Sequence, residues 1–399
     1  MTDPSEANTC FAPARLNGLT LRNRLIKAAT FEGRTPAGTP GEALTCFHER
    51  FAQGGIGMTT LAYCAAEADG RLHEDTLYLH EGIREPLTDF TRRIHAMGTA
   101  VCGQLTHCGG FTKNAPLQTR RPLGPSASIN LLGLGHGMPI VDALTTAQIR
   151  ARVGEMGSAA AFMRSVGFDA IELHLGHGYG INQFISPRTN RRKDTYGGSL
   201  INRMRFALEV VAAIREQVGE SFPLLAKISM SEGVRGGTSV DEATDIAAML
   251  EQGGIDAVVC SAGSSAANPM MIFRGESLLP GLLQNEPNAA IRMVMRAAGP
   301  FMFKHLPYRD LYLLDSAQRI RDRVACGVCY VGGACNRAHL DTLMRAGFDF
   351  VQLGRALLFD PDLPRNVQNS QDYVNGCTHC NLCASLIEAP EGIRCVLRG

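Results

Sequence analysis

His174, His177 and Tyr179 stand close together in the chain, separated by Gly176, Gly178 and Gly180. Imidazoles three residues apart suit a metal ion, or an oxygen atom on which negative charge develops. No further metal-ligating side chain is adjacent in sequence, which favours the second use. A phenol with an ordinary pKa of about 10 can deliver a proton at the end of a reduction. Glycine-rich backbone around such side chains at a strand end points to chemistry rather than packing.

Two further groupings carry chemistry. Gly332-Gly333 and Gly354-Arg355 each follow a short apolar run. Paired glycines let backbone N–H groups approach an anion, and an arginine adds a charge-assisted contact, so these positions suggest a phosphate cradle. The tail holds Cys377, Cys380, Cys383 and Cys395, with two, two and eleven residues between them. Four thiolates at such spacing suit an iron–sulfur cluster or zinc. Cys326 and Cys329 also form a C-x-x-C pair. They lie on or beside a strand, where the two side chains face opposite ways, and so read as packing.

The elements that must position these residues follow a regular rhythm. Apolar runs at Leu25–Ala29, 56–64, 99–105, 169–174, 224–229, 257–261, 328–331 and 350–353 read as strands. Helical patterns at 42–53, 83–97, 145–165, 203–217, 241–252, 310–323 and 337–346 separate most of them. Such alternation implies parallel strands with helical crossovers, and eight repeats favour a closed (β/α)8 TIM barrel in the α/β class. In such barrels the strands' C-terminal ends carry the site, and phosphate sites recur after the seventh and eighth strands. Residues 108–144 read as a long loop and 263–307 as an irregular insertion. The expected division is a barrel over 1–361 and a cysteine-containing tail over 362–399.

Composition narrows the function classes. The formal net charge is +1 with no basic stripe, so nucleic acid is not an expected partner. No apolar run approaches the roughly 20 residues of a membrane helix, and the first residues, MTDPSEAN, lack an apolar leader. Thirteen cysteines without such a leader suggest reduced thiols and a cytoplasmic location.

The stretch from His174 to Phe206 contains H-x-x-H-G-Y, then S-P-x-x-N-x-R-x-D-x-Y-G-G-S, then N-R-x-R-F. It resembles the old yellow enzyme family of flavin-dependent oxidoreductases. Asn23-Arg24 with the strand to Thr30, the Gln104–His107 segment and residues 353–364 fall where that family has counterparts. The resemblance implies a (β/α)8 barrel holding FMN noncovalently at its mouth. Ala29 and Thr30 would then lie near the flavin's pyrimidine side and N5, and Gln104 would bond to the ring. Lys227 stands where the family usually has arginine, facing N1 and O2. Gly332, Gly333, Gly354 and Arg355 would hold the phosphate. His174 and His177 would grip a substrate carbonyl, and Tyr179 would protonate the α-carbon as N5 delivers hydride to the β-carbon. Asp194, Tyr196-Gly197-Gly198 and Arg203 look like a braced loop.

Within the family, the chain is most similar to the barrel domain of the 2,4-dienoyl-CoA reductase and trimethylamine dehydrogenase branch. That branch carries a [4Fe-4S] cluster just after the barrel. The expectation is therefore an ene-reductase: NADH or NADPH reduces FMN, which reduces an activated alkene such as an enone or enoyl ester. The alternatives are a flavin-dependent NADH oxidase, an amine demethylase, or a metal-binding barrel without catalysis. An amine site would want an aromatic cage, and the chain has no tryptophan. The sequence leaves the substrate, the choice of nicotinamide nucleotide and the oligomeric state open.

Overall fold

A computed structural model describes residues 9–115 and 117–398. Residues 1–8, read above as lacking a leader, lie outside the described residues. Eight parallel strands close into one barrel: β1 (Leu25–Lys27), β2 (Met58–Ala65), β3 (Ala100–Thr106), β4 (Ala170–Leu175), β5 (Leu224–Ser229), β6 (Ala257–Ser261), β7 (Gly327–Val331) and β8 (Phe350–Leu353). β8 pairs with β1, so neighbours in the chain are neighbours around the ring. All eight expected strands are present.

The crossover helices are α1 (Glu42–Gln53), α2 (Arg84–His95), α3 (Thr146–Ser165), α4 (Leu200–Val218), α5 (Val240–Gln252), α6 (Leu314–Arg323) and α7 (Arg337–Arg345). Their starts follow side-chain chemistry. Thr145 and Gln148 form a reciprocal capping box on α3, and Asn336 accepts from the His339 N–H at the start of α7. Gly54 ends α1 where a Cβ would lie 1.9 Å from the Pro361 carbonyl oxygen, so only glycine lets that loop close on the helix. No helix among the described residues is long and apolar enough to cross a membrane.

The barrel interior is layered because alternate strand residues point inward. Ile26, Met58, Cys102, Ala170, Leu225, Val259, Cys329 and Phe350 pack in one apolar cluster there. One step further along their strands come Gln104, Glu172, Lys227 and Gln352, all buried. His174, Ser229 and Ser261 follow at the C-terminal rim. Cys329 thus packs inside the barrel, while Cys326 sits half-buried before β7.

Two loops depart from the expected picture. The 108–144 loop contains a small three-stranded sheet built from Leu123–Gly124, Ser128–Ile129 and Ile140–Ala143. The 263–307 insertion is largely helical, with Met270–Phe273, Leu279–Asn285 and Ala289–Met302. Asn288 caps the last of these, and Gly299 and Pro300 near its end hide its helical pattern.

After a last helix, α8 (Leu363–Asn369), the tail straps the barrel mouth. The Ile393 N–H donates to the Glu32 carbonyl at 2.9 Å, Asn381 donates to the Glu276 carbonyl at 2.7 Å, and Glu388 pairs with Lys113.

The segment after β4 is held by Arg203, which is buried and bonds the Ile185 carbonyl, the Gly198 carbonyl and Glu242. Arg203→Ala leaves those acceptors unpaired. It should destabilise the protein by about 3 kcal/mol, measured as a lower thermal midpoint with FMN supplied in excess.

Candidate active site

The C-terminal rim of the barrel gathers the residues singled out in sequence. His174 is the penultimate residue of β4, and His177 follows in a left-handed conformation at φ +60°. A backbone bond from the Ser265 N–H to the His177 carbonyl, 2.8 Å, and one from the His177 N–H to the Ser229 hydroxyl oxygen, 2.8 Å, hold that turn. His174 Nε2 lies 3.0 Å from His177 Nδ1, and His177 Nε2 lies 2.8 Å from the Ser261 hydroxyl. The two imidazoles form a chain across β4, β5 and β6 rather than two arms around one point. The outer nitrogen, His174 Nδ1, is buried without a partner. Burial holds both rings neutral, His174 well below the usual imidazole range and His177 at about 3.

Tyr179 caps the short helix Gly180–Ile185 and is 3% exposed. Its ring lies 4.5 Å from that of His174 and 5.1 Å from that of Tyr63, centroid to centroid. Burial, then the neighbouring Tyr63, keeps its phenol protonated far above the ordinary range. Tyr63 lies within the run 56–64 read above as a strand. It stacks between Phe31 and His174, and its own phenol is pushed up to about 12 by burial. Phe111 meets Tyr179 edge-on. Aromatic residues make up only 6% of the chain, yet several line this mouth.

Beneath the rim lies a charged layer whose centre, Glu172, was not identified in sequence as a functional residue. Glu172 is 0% exposed. It accepts from Lys227 Nζ at 2.8 Å, from Gln104 Nε2 at 2.7 Å and from Gln352 Nε2 at 2.5 Å. A carboxylate removed from water needs such donors, and a buried ammonium needs a counter-charge. The alternation Ile171-Glu172-Leu173-His174 was the available signal, since it puts Glu172 on the same face as His174. Gln104 and Lys227, assigned separately from sequence, are thereby joined in one cluster. The Gln104 and Gln352 amide oxygens are left buried without partners.

A second network sits between β1 and α1. Lys27 bonds Glu32 at 2.5 Å and the Thr60 carbonyl at 3.1 Å, while His48 approaches Glu32 at 3.4 Å. Burial alone would raise the Glu32 carboxyl, but Lys27 and His48 outweigh it and hold it ionised. Glu32 also accepts from the Ala62 N–H at 3.1 Å, next to Tyr63. Ala29 and Thr30 lie in the chain between Lys27 and Glu32, and the Thr30 hydroxyl is buried without a partner among the described residues.

The glycine turns follow β7 and β8, next to β1 around the ring. Gly332 and Gly333 adopt φ +140° and +80°, conformations that favour glycine, and a Cβ on Gly354 would meet open space. Arg355 Nη1 donates to the Arg274 carbonyl at 2.7 Å and also bonds Asn381. Both guanidiniums act on Tyr312. Neither Arg274 nor Arg355 forms an ion pair among the described residues. Arg274 lay inside the insertion and offered no sequence signal.

The residues present fit a flavin nucleotide. Among the described residues, Thr30, Gln104 and His174 carry buried polar atoms without partners, and the barrel mouth also gathers two arginines and left-handed glycines. Cys377 and Cys383 lie close enough to Cys380 and Cys395 for their charges to act on one another. No three of their sulfurs come within 4.8 Å, however, whereas sulfurs around one tetrahedral zinc are about 3.8 Å apart. The tail as folded does not hold its sulfurs at zinc spacing.

Comparison with known proteins shows the family of the chain. The family model described as NADH:flavin oxidoreductase / NADH oxidase matches residues 9–271. A 4,4'-dithiodibutanoate disulfide reductase of Rhodococcus erythropolis is 37% identical over 389 residues, covering 97% of this chain and 94% of that protein. An NADH oxidase of Thermoanaerobacter brockii is 28% identical over 93% of this chain, which spans only 52% of that longer protein. The structure of an old yellow enzyme homologue from Zymomonas mobilis superposes with a TM-score of 0.69 at 21% identity, over 92% of this chain and 95% of that one, a likeness of fold.

Two predictions follow from the buried charges. Glu172→Gln leaves Lys227 without its counter-ion and should cost about 3 kcal/mol, seen as a lower thermal midpoint. His48, His73 and His107 are each lowered by burial from 6.5 to about 4. Between those values the unfolded chain binds more protons than the folded one, so stability falls as pH drops from 6.5 toward 4. Thermal midpoints across that window should decline, and His73→Gln should decline less steeply.

Proposed function

Because the chain belongs to the old yellow enzyme family of NADH:flavin oxidoreductases, we propose that it uses reducing equivalents from NADH or NADPH to reduce an activated alkene at the Tyr179 rim. The observation that carries this reading is a protonated, buried phenol packed against His174, whose outer nitrogen is free to donate. A bound FMN would supply the hydride relay between the nicotinamide nucleotide and the acceptor.

The chain's own residues do the rest. Ala29, Thr30, Gln104 and Lys227 hold the ring end, and Lys227 supplies a positive charge beneath it. Lysine keeps the charge of the arginine usual in the family but lacks its planar fork. Gly332, Gly333, Gly354 and Arg355 hold the phosphate, with Arg274 as a second cation. Neutral His174, oriented by His177 and Ser261, donates to the substrate's carbonyl oxygen and stabilises charge developing there. Tyr179 delivers its proton to carbon on the face opposite the hydride. Phe31, Tyr63 and Phe111 exclude water around that phenol. The tail from 362 onward is an appended element on the barrel, and its four cysteines, Cys377, Cys380, Cys383 and Cys395, take an iron–sulfur cluster.

A second reading has specific support: the 37% identical relative that spans nearly the whole chain is a disulfide reductase. Cleaving an S–S bond with a hydride yields a thiol and a thiolate. With thiol pKa values near 8.5, the thiolate needs little help from an acid. Tyr179 therefore separates the readings.

The test is anaerobic. The protein is reduced with NADPH or NADH, then mixed with cyclohexenone or with 4,4'-dithiodibutanoate, and flavin reoxidation is followed by absorbance. Alkene reduction predicts reoxidation by the enone, slowed roughly 100-fold or more in Tyr179→Phe while flavin reduction is unchanged. Reoxidation by the disulfide alone, insensitive to that substitution, would replace the first reading with the second.

A further inference from the structure

Beyond the barrel mouth, one cluster of ligating side chains takes no part in the reduction described above. Among the described residues, one group of three such side chains has donor atoms all within 4.8 Å of one another: Asp310, Cys335 and His339. Cys335 and His339 flank the start of α7, four residues apart, with the intervening cap Asn336 fixing the turn through the His339 N–H at 2.9 Å. Asp310 arrives from the segment before α6, 60% exposed, while the His339 side chain is only 13% exposed.

The spacing is that of a metal site. Cys335 Sγ lies 3.6 Å from His339 Nδ1. Sulfur and nitrogen bound to one tetrahedral zinc, at about 2.3 and 2.0–2.1 Å, stand about 3.5 Å apart. The Asp310 carboxylate now rests nearest the other ring nitrogen, 3.3 Å from Nε2. It has to swing toward the Cys335–His339 pair, exchanging its present contacts with Tyr308 and His339 Nε2 for the ion. One thiolate, one imidazole and one carboxylate form a borderline-soft donor set, which suits Zn2+ rather than Mg2+ or Ca2+.

We propose that Asp310, Cys335 and His339 form a divalent transition-metal site of the zinc class, distinct from the four tail cysteines. On binding, Cys335 releases its thiol proton to solvent, and water completes the fourth position. The ion fastens the segment carrying Tyr308 and Tyr312 to the turn after β7. Tyr308 already donates to the Gly333 carbonyl at 3.1 Å, so the ion stiffens the glycine turn from behind. The competing account is a hydrogen-bonded trio that binds nothing.

Co2+ distinguishes these outcomes, because thiolate-bound tetrahedral cobalt absorbs to the red of flavin. The full-length protein is titrated anaerobically with Co2+ alone. The site predicts one equivalent giving intense d–d bands, displaced by Zn2+. Cys335→Ser and His339→Ala should each remove the bands. The exposed Asp310→Asn, which leaves the fold undisturbed, should weaken binding by at least the roughly 10-fold that even an outer-shell change costs. The double variant Cys380→Ser/Cys383→Ser should leave the bands intact. Absence of bands in the unsubstituted protein, their persistence in His339→Ala, or their loss in the tail variant would each overturn the proposal.

Discussion

Glu172 is the point on which the barrel mouth depends. A carboxylate with no exposure inside a barrel is tolerable only with donors on several sides. Here β3, β5 and β8 each send one, through Gln104, Lys227 and Gln352. The same three bonds that satisfy the charge also fix the side chains flanking it. Gln104 and Lys227 are held where a flavin ring would meet them. The constraint runs both ways, because an ammonium at that depth also needs a counter-charge, and Lys227 finds it in Glu172.

Above that layer, the chemistry is set by exclusion of water. His174 and His177 are neutral because burial makes their protonated forms costly. Neutral imidazoles can pass one donor outward along a chain, from Ser261 through His177 to His174. Tyr179 keeps its proton for the same reason. An acid that stays protonated until a strong base appears beside it is suited to a carbanion-like acceptor, and much less needed by a thiolate leaving group. The tail contributes to this enclosure through Glu388 and Ile393, and it also contacts Arg355 through Asn381.

Much of this was legible in the chain alone. All eight strands and most crossover helices followed from apolar runs broken by glycine and proline, since period-2 and period-3.6 patterns are local properties. His174, His177, Tyr179 and the glycine turns stood out by type and spacing. What escaped had no local signature. Glu172 looked like the polar half of an alternating strand. Arg274 sat in an insertion whose helices are obscured by Gly299 and Pro300. Tyr63 gains meaning only from Phe31, His174 and Tyr179, which come from two other parts of the chain.

The sequence by itself therefore determined the barrel, the identity of the rim side chains and the family to which they belong, because each rests on periodicity or on motifs of contiguous residues. Only the tertiary structure decided which of those side chains share partners. It placed the histidines in series and gathered donors from three other strands around one carboxylate. Closing the ring of strands brings β8 against β1 and sets residues far apart in the chain at hydrogen-bond distance, and burial then makes every unpaired charge costly enough to require a partner.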